Sequence, residues 1–240
     1  MASLIAYNAN MFNGQRVAAI IAAAGRSERM QGVDKIFTLL GNRPVLARTV
    51  YPFECHPAVD RIIIVINPDR VAPAERLAAY EKWRKVTDIV PGGDRRQDSV
   101  MKALDRLEND VQWVIVHDGA RPLVRLAQID DGLTAAQETG AAVCAVPVTD
   151  TIKEVSESGF VECTLAREKL FAVQTPQVFR YEIIRKAYNE SAETSVTDDA
   201  SLVENLGIQI KLFPGSYGNI KITTPESLTT AEMLWRRSGD

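Results

Sequence analysis

The sequence predicts an α/β fold, a doubly wound and mostly parallel sheet with an inserted β-arm. Three observations predict it. Apolar, β-branched runs recur at Val17–Ala24, Arg61–Ile66, Val86–Val90, Val111–Val116 and Ala141–Val148. Stretches with helical periodicity separate them. The alternation then stops after Pro147. Buried strands alternating with helices imply parallel pairing through right-handed crossovers, with both sheet faces covered.

Each helix has its own justification. Pro44–Glu54 carries Val45, Leu46, Thr49, Val50 and Phe53 at three-and-four spacing. Pro73–Arg84 follows the second strand, and Gln97–Glu108 sets Val100, Leu104 and Leu107 on one stripe. Ala127–Thr139 is the fourth. Past Pro147, Thr151–Val155 and Phe160–Leu165 read as short strands around the turn-prone Ser156–Gly159, a β-arm of about residues 149–172. A helix over Tyr181–Ser191, a short helix near Asp198–Leu206, and strands over Ile208–Phe213 and Asn219–Ile222 come next. Pro225 opens the closing helix with Thr224 as its cap. No repeat or Gly/Ser linker divides the chain, so residues 16–240 are expected to form one domain behind a flexible extension, residues 1–15.

Composition narrows the function classes. At 46% apolar and 25% charged residues, the 240-residue chain can bury a core and is not expected to be disordered. A net charge of −3 gives no support for a nucleic-acid or membrane-surface partner. No apolar run reaches the roughly 18 residues of a membrane span. The N-terminal stretch lacks the basic and apolar regions of a secretory signal. Cys55, Cys144 and Cys163 are far apart, lack zinc-site spacing, and read as reduced thiols of a cytoplasmic protein.

Charge gathers in the loops that follow the strands. After the first strand the chain turns at Gly25 and meets Arg26, Glu28, Arg29 and Lys35. The pattern is neither G-x-x-x-x-G-K-[ST] nor G-x-G-x-x-G, which disfavours a P-loop NTPase and a dinucleotide dehydrogenase. A tight turn with exposed amides and fixed cations can wrap a triphosphate; it can also be a solvated loop. The fourth strand ends in His117-Asp118-Gly119-Ala120-Arg121-Pro122. In the common doubly wound order its end shares a crevice with the end of the first strand. There Asp118 beside a triphosphate suggests a Mg²⁺ ligand, the other reading being a cap or a partner of Arg121. His117 reads as structural. After the third strand, Gly92-Gly93-Asp94 through Ser99 can let backbone approach a flat base, or can serve as a turn and helix cap.

Seven segments then carry a resemblance: "AAAGRSERM...DK", "GGDRRQDSV", "VHDGARP", "PVTDTIKEV", "LAREKLFAVQTPQVF", "TDDASLVENLG" and "NIKITTPESL", in that order. The chain resembles the 2-C-methyl-D-erythritol 4-phosphate cytidylyltransferase family from about Val17 to Trp235. The resemblance implies a Rossmann-like nucleotidyltransferase of isoprenoid precursor biosynthesis. It would transfer CMP from CTP to the sugar-alcohol phosphate and release pyrophosphate, with Mg²⁺ or another divalent cation. It implies Arg29 and Lys35 on the triphosphate and Asp118 near the metal. Gly93, Asp94 and Ser99 would read the cytosine, and Ala22, Ala23 and Gly25 would underlie the nucleotide. Thr151, Arg167 and Lys221 would hold the acceptor, with Gly119 and Arg121 also lining the substrate site. The arm would swap across a homodimer, so that Thr151 and Arg167 serve the partner's site. Two positions depart from the family pattern: Ser27 stands where many members have glycine, and Gly119 where alanine is commoner. The implied nucleophile is an anion at neutral pH, so no proton-abstracting side chain is required. The alternatives are a ribitol-5-phosphate cytidylyltransferase and a regulator that binds CTP without turnover.

Overall fold

The computed structural model describes residues 11–25, 34–108, 110–190 and 196–238. Arg29 therefore lies outside the described residues. A seven-stranded sheet runs in the order β11-β7-β10-β6-β1-β4-β5. Its strands are β1 (Arg16–Ala23), β4 (Arg61–Ile66), β5 (Val86–Pro91), β6 (Val111–Asp118), β7 (Ala141–Pro147), β10 (Phe171–Arg180) and β11 (Lys211–Pro214). A two-residue hairpin, β2 (Leu39–Leu40) with β3 (Arg43–Pro44), and the arm hairpin, β8 (Lys153–Val155) with β9 (Val161–Thr164), complete the strands. The expected order holds at the centre: β1 pairs in parallel with β4 on one side and with β6 on the other.

Helices cover both faces because β1 is apolar on both. Val17, Ala19 and Ile21 pack with Val50 and Phe53 of α1 (Val45–Cys55), Ile129 and Leu133 of α4 (Leu126–Thr139), and Ala231 of α7 (Pro225–Ser238). Ala18 and Ile20, pointing the other way, pack with Val100 and Leu104 of α3 (Arg96–Leu104), Ile184 of α5 (Tyr181–Glu190) and Leu202 of α6 (Asp199–Glu204). The period-2 alternation of side chains distributes one apolar strand between two cores. Helix α2 (Val71–Glu81) bridges β4 and β5 and seats Ala74 on the α1 side. The expected caps of α7 are present: Thr224 Oγ1 accepts from Ser227 N at 3.3 Å, with Pro225 opening the helix.

The structure revises several expectations. The sheet is mixed: β10 runs antiparallel to both β6 and β7, where the sequence reading placed no strand. Its middle, Gln174-Thr175-Pro176-Gln177, is polar and contains a proline, so it lacks a strand pattern. The pairing with β7 shifts register between Val173 and Gln177, which accommodates that proline. Asn219–Ile222, expected as a strand, is irregular; it is tied down by Ile222 N donating to Ala120 O at 2.8 Å. The last sheet strand is Lys211–Pro214 rather than Ile208–Phe213. Of the expected extension, residues 1–10 lie outside the described residues, and residues 11–15 contact the domain. There Gln15 Oε1 accepts from Trp113 Nε1 at 2.7 Å, and the Phe12 ring meets Trp113 edge-on at 6.3 Å.

Candidate active site

A cavity of about 490 Å³ opens at the carboxyl ends of β1, β4, β5 and β6. Its floor is the end of β1: Ala22, Ala23 and Gly25 line it, joined by Lys35 where the described chain resumes. Small residues matter here because the loops cross close overhead. Gly92 N donates to Ile66 O, and Gly119 N to Ala22 O, both at 2.8 Å. A Cβ on Gly92 would stand 2.3 Å from the Ala24 Cβ, and one on Gly119 would stand 2.7 Å from the Ala23 Cβ. Lys35 reaches back over the turn, its Nζ 3.9 Å from where a Gly25 Cβ would be. Asp34 fixes this end of the loop through Arg70 at 2.8 Å.

The wall after β5 is built by Ser99. Its Oγ accepts from Gly93 N at 3.0 Å and donates to Arg95 O at 3.1 Å. The hydroxyl expected to read a base edge is thus committed to shaping the loop. The segment lines the cavity with glycine backbone and Asp94, followed by Arg95, Arg96 and Ser99. Lys102 supports the same loop by donating to Gly92 O at 2.8 Å.

Asp118 is the electrostatic centre. Its Oδ2 accepts from Lys221 Nζ at 3.0 Å and Arg121 Nε at 3.1 Å, while its Oδ1 lies 3.7 Å from Arg96 Nε. Burial alone would raise its pKa, but Lys221, Arg96 and Arg121 together hold the carboxyl well below the usual carboxylate range. Asp118 and Asp199 together cannot neutralise three cations, so the cluster retains positive charge and is suited to an anion. Arg96 continues to Asp199 at 2.6 Å, a carboxylate that Tyr188 also bonds. Burial works against the charge of Arg96, and Asp199 and Asp118 more than compensate, raising its pKa.

Among the described candidates, Ala22, Ala23, Gly25, Lys35, Gly93, Asp94, Ser99, Asp118 and Lys221 come together around the cavity. Arg121 stands behind Asp118, lining an adjoining recess of about 220 Å³ that Asp118, Arg96 and Lys221 share. Gly119 supports the floor from below. Thr151 and Arg167 are not in the lining: they lie at the base of the arm, where Arg167 Nη1 donates to Thr149 O at 2.7 Å. The sequence reading missed Arg96, Lys102, Asn67 and Asp69 in the cavity wall. Arg96 had a signal, as the second cation in a glycine-rich loop. His117 is structural, as expected: its ring is buried against Phe53 and its Nε2 pairs with Arg121 O at 3.1 Å. Among the described residues no three His, Cys, Asp or Glu side chains gather as a metal site.

The family model of 2-C-methyl-D-erythritol 4-phosphate cytidylyltransferase matches residues 17–237. A Dehalococcoides mccartyi protein of that name is 50% identical over 227 residues, covering 95% of this chain and 99% of its own. One from Desulforamulus reducens is 45% identical over 225 residues, with 92% and 96% covered. Among solved structures, the 4-diphosphocytidyl-2C-methyl-D-erythritol synthase of Anaerococcus prevotii superposes with a TM-score of 0.84 at 30% identity, covering 93% of this chain and 99% of that one. The 2-C-methyl-D-erythritol 4-phosphate cytidylyltransferase of Thermus thermophilus superposes at 0.77 with 31% identity, covering 92% and 100%.

Proposed function

The chain belongs to the 2-C-methyl-D-erythritol 4-phosphate cytidylyltransferase family, and from that premise we propose how its residues transfer CMP from CTP to the methylerythritol phosphate. The acceptor's phosphate oxygen attacks the α-phosphorus. A P–O bond forms to the acceptor, the bond to the β-phosphate oxygen breaks, and pyrophosphate leaves with the electron pair. An ionised phosphate monoester is already the nucleophile. This agrees with the two histidines: His117 is held on a backbone carbonyl and His56 on Asp130 at 3.1 Å.

The obstacle is repulsion between two anions, and positioned cations lower it. Lys35 and Arg29 are assigned to the triphosphate and the departing pyrophosphate. Lys221 and Arg121 are assigned to the incoming phosphate, together with Arg167 of an arm supplied by a second copy. The glycine backbone after β5 receives the cytosine. Asp118 suits a hard divalent cation in one respect. Its Oδ1 has Arg96 at 3.7 Å, beyond hydrogen-bond reach, so Asp118 would hold the cation through that oxygen. Such a cation, Mg²⁺ in our reading, supplies charge neutralisation at the phosphates. The observation that carries the proposal is the convergence of Lys221, Arg121 and Arg96 on the buried Asp118 beside the cavity.

The homodimer reading is supported by the arm, whose Val155, Phe160 and Val161 are 55%, 75% and 60% exposed. No helix among the described residues is long and apolar enough to cross a membrane, and the three cysteines are unpaired; a cytoplasmic location agrees with both. The test is a coupled pyrophosphate assay over four nucleoside triphosphates with methylerythritol phosphate or ribitol 5-phosphate. Release only with CTP and methylerythritol phosphate is the expected result. Release with ribitol 5-phosphate at equal efficiency, or binding without release, overturns the assignment.

A further inference from the structure

Lys221 reaches Asp118 from a segment without regular secondary structure. Something must hold that segment, because a lysine on a free loop would lose its position to side-chain and backbone entropy. The holding element is Asn219, two residues earlier and fully buried. Its Nδ2 donates to Thr175 O at 2.8 Å. Its own backbone carbonyl accepts Arg121 Nη1 at 2.7 Å. Arg121 Nε bonds Asp118 Oδ2 at 3.1 Å, and Asp118 N donates to Thr175 Oγ1 at 3.0 Å. The four residues close a ring, Asp118–Arg121–Asn219–Thr175–Asp118. It spans three segments: the end of β6, the middle of β10 and the stretch before α7. Gln174 reinforces the far side, donating through Nε2 to Ser216 O at 2.9 Å, while Ser216 O also accepts Asn219 N at 2.9 Å.

We infer that Asn219 is a positioning residue for the acceptor phosphate: through one side-chain amide and one carbonyl it sets both the Arg121 guanidinium and the Lys221 ammonium. The inference rests on the assignment of those two cations to the acceptor. A planar guanidinium with one edge on Asp118 and one donor on Asn219 O has a single orientation. Lys221, displaced with the segment, would leave Asp118 and the acceptor together. Among the described residues, the loops after β1 and β5 at the nucleotide end of the cavity share no hydrogen bond with this ring; the nearest link is Arg96 Nε, 3.7 Å from Asp118 Oδ1. Loss of Asn219 should therefore separate the two substrates kinetically.

The experiment measures KM for each substrate and kcat in Asn219→Ala and in the milder Asn219→Ser, beside Lys221→Ala and the double variant with Asn219→Ser. Expected is a rise of about tenfold or more in acceptor KM, with CTP KM within about twofold of wild type, since one buried hydrogen bond corresponds to about a tenfold change. The serine should fall between alanine and asparagine, its shorter side chain restoring part of the donation. In the Lys221→Ala background the Asn219→Ser effect should shrink, because the two act through one route. Equal rises in both KM values, or a lowered Tm with unchanged kinetics in the serine variant, would show a merely structural role and overturn the inference. Full additivity with Lys221→Ala overturns it as well. If Lys221→Ala itself leaves acceptor KM unchanged, the underlying assignment falls, and the inference falls with it.

Discussion

Lys35 and Lys221 both line one charged crevice, and neither belongs to the buried core. Lysine to alanine at either position takes away one preorganised donor. We expect kcat to fall by about 10²–10³ in Lys35→Ala while the melting temperature stays within a few degrees, because donors of this kind act mainly in the transition state. Steady-state kinetics beside a thermal melt checks this, and near wild-type turnover would remove Lys35 from the mechanism. His117 makes a different prediction. Burial pushes its pKa from an ordinary value near 6.5 down to about 4. The folded imidazole thus stays neutral where the unfolded one takes up a proton. Stability is full above pH 6.5 and declines as pH falls towards 4, by an amount on the order of 3 kcal/mol. Urea midpoints at pH 7 and pH 5 should show the decline in wild type and a smaller one in His117→Gln.

At the scale of elements, the ends of β1 and β6 meet so closely that residue choice is restricted. Gly119 stands where alanine is commoner in the family pattern. In the structure an added methyl would stand 2.7 Å from the Ala23 Cβ and 3.1 Å from its Cα, so the strand ends would have to part. Gly119→Ala is expected to cost about 1–3 kcal/mol of stability. It should also weaken turnover, since Asp118 precedes it directly; a melt and kcat/KM on the same preparation measure both. The elements that were legible, β1, β4, β6 and α1, have apolar patterns that no local alternative satisfies. The illegible one is β10, where Gln174, Thr175 and Gln177 are buried yet polar. Their burial is permitted by partners on other segments, such as Ser216 O for Gln174 and Asp198 for Gln177 at 2.7 Å. A sequence window carries no trace of those partners.

For the whole molecule, the question is which residues of the site come from one chain. Lys35 and Lys221 lie in the cavity, whereas Thr151 and Arg167 do not line it. In the proposed homodimer, an arm reaching into a second copy would place all four at one site. Arg167→Ala and Lys35→Ala should each be nearly inactive alone. Refolded together they should recover activity, because each mixed dimer keeps one site with both residues intact. Random pairing then gives about a quarter of wild-type turnover. Recovery absent from mixed preparations whose dimer content is verified by light scattering would show that each chain serves itself.

Strand–helix alternation, the charged loops after the first, third and fourth strands, and the motifs of the family were readable along the chain, because local periodicity and short-range spacing encode them. Tertiary structure alone decided that β10 enters the sheet antiparallel and that Lys221 and Arg96 join Arg121 on one carboxylate; the structure also chose, among local readings, the one in which Ser99 spends its hydroxyl on its own loop. Those outcomes depend on pairings across about 20 residues of chain for Arg96 and about 100 for Lys221, and on distant hydrogen-bond partners for the buried polar groups of β10, and such partners exist only once the chain has closed upon itself.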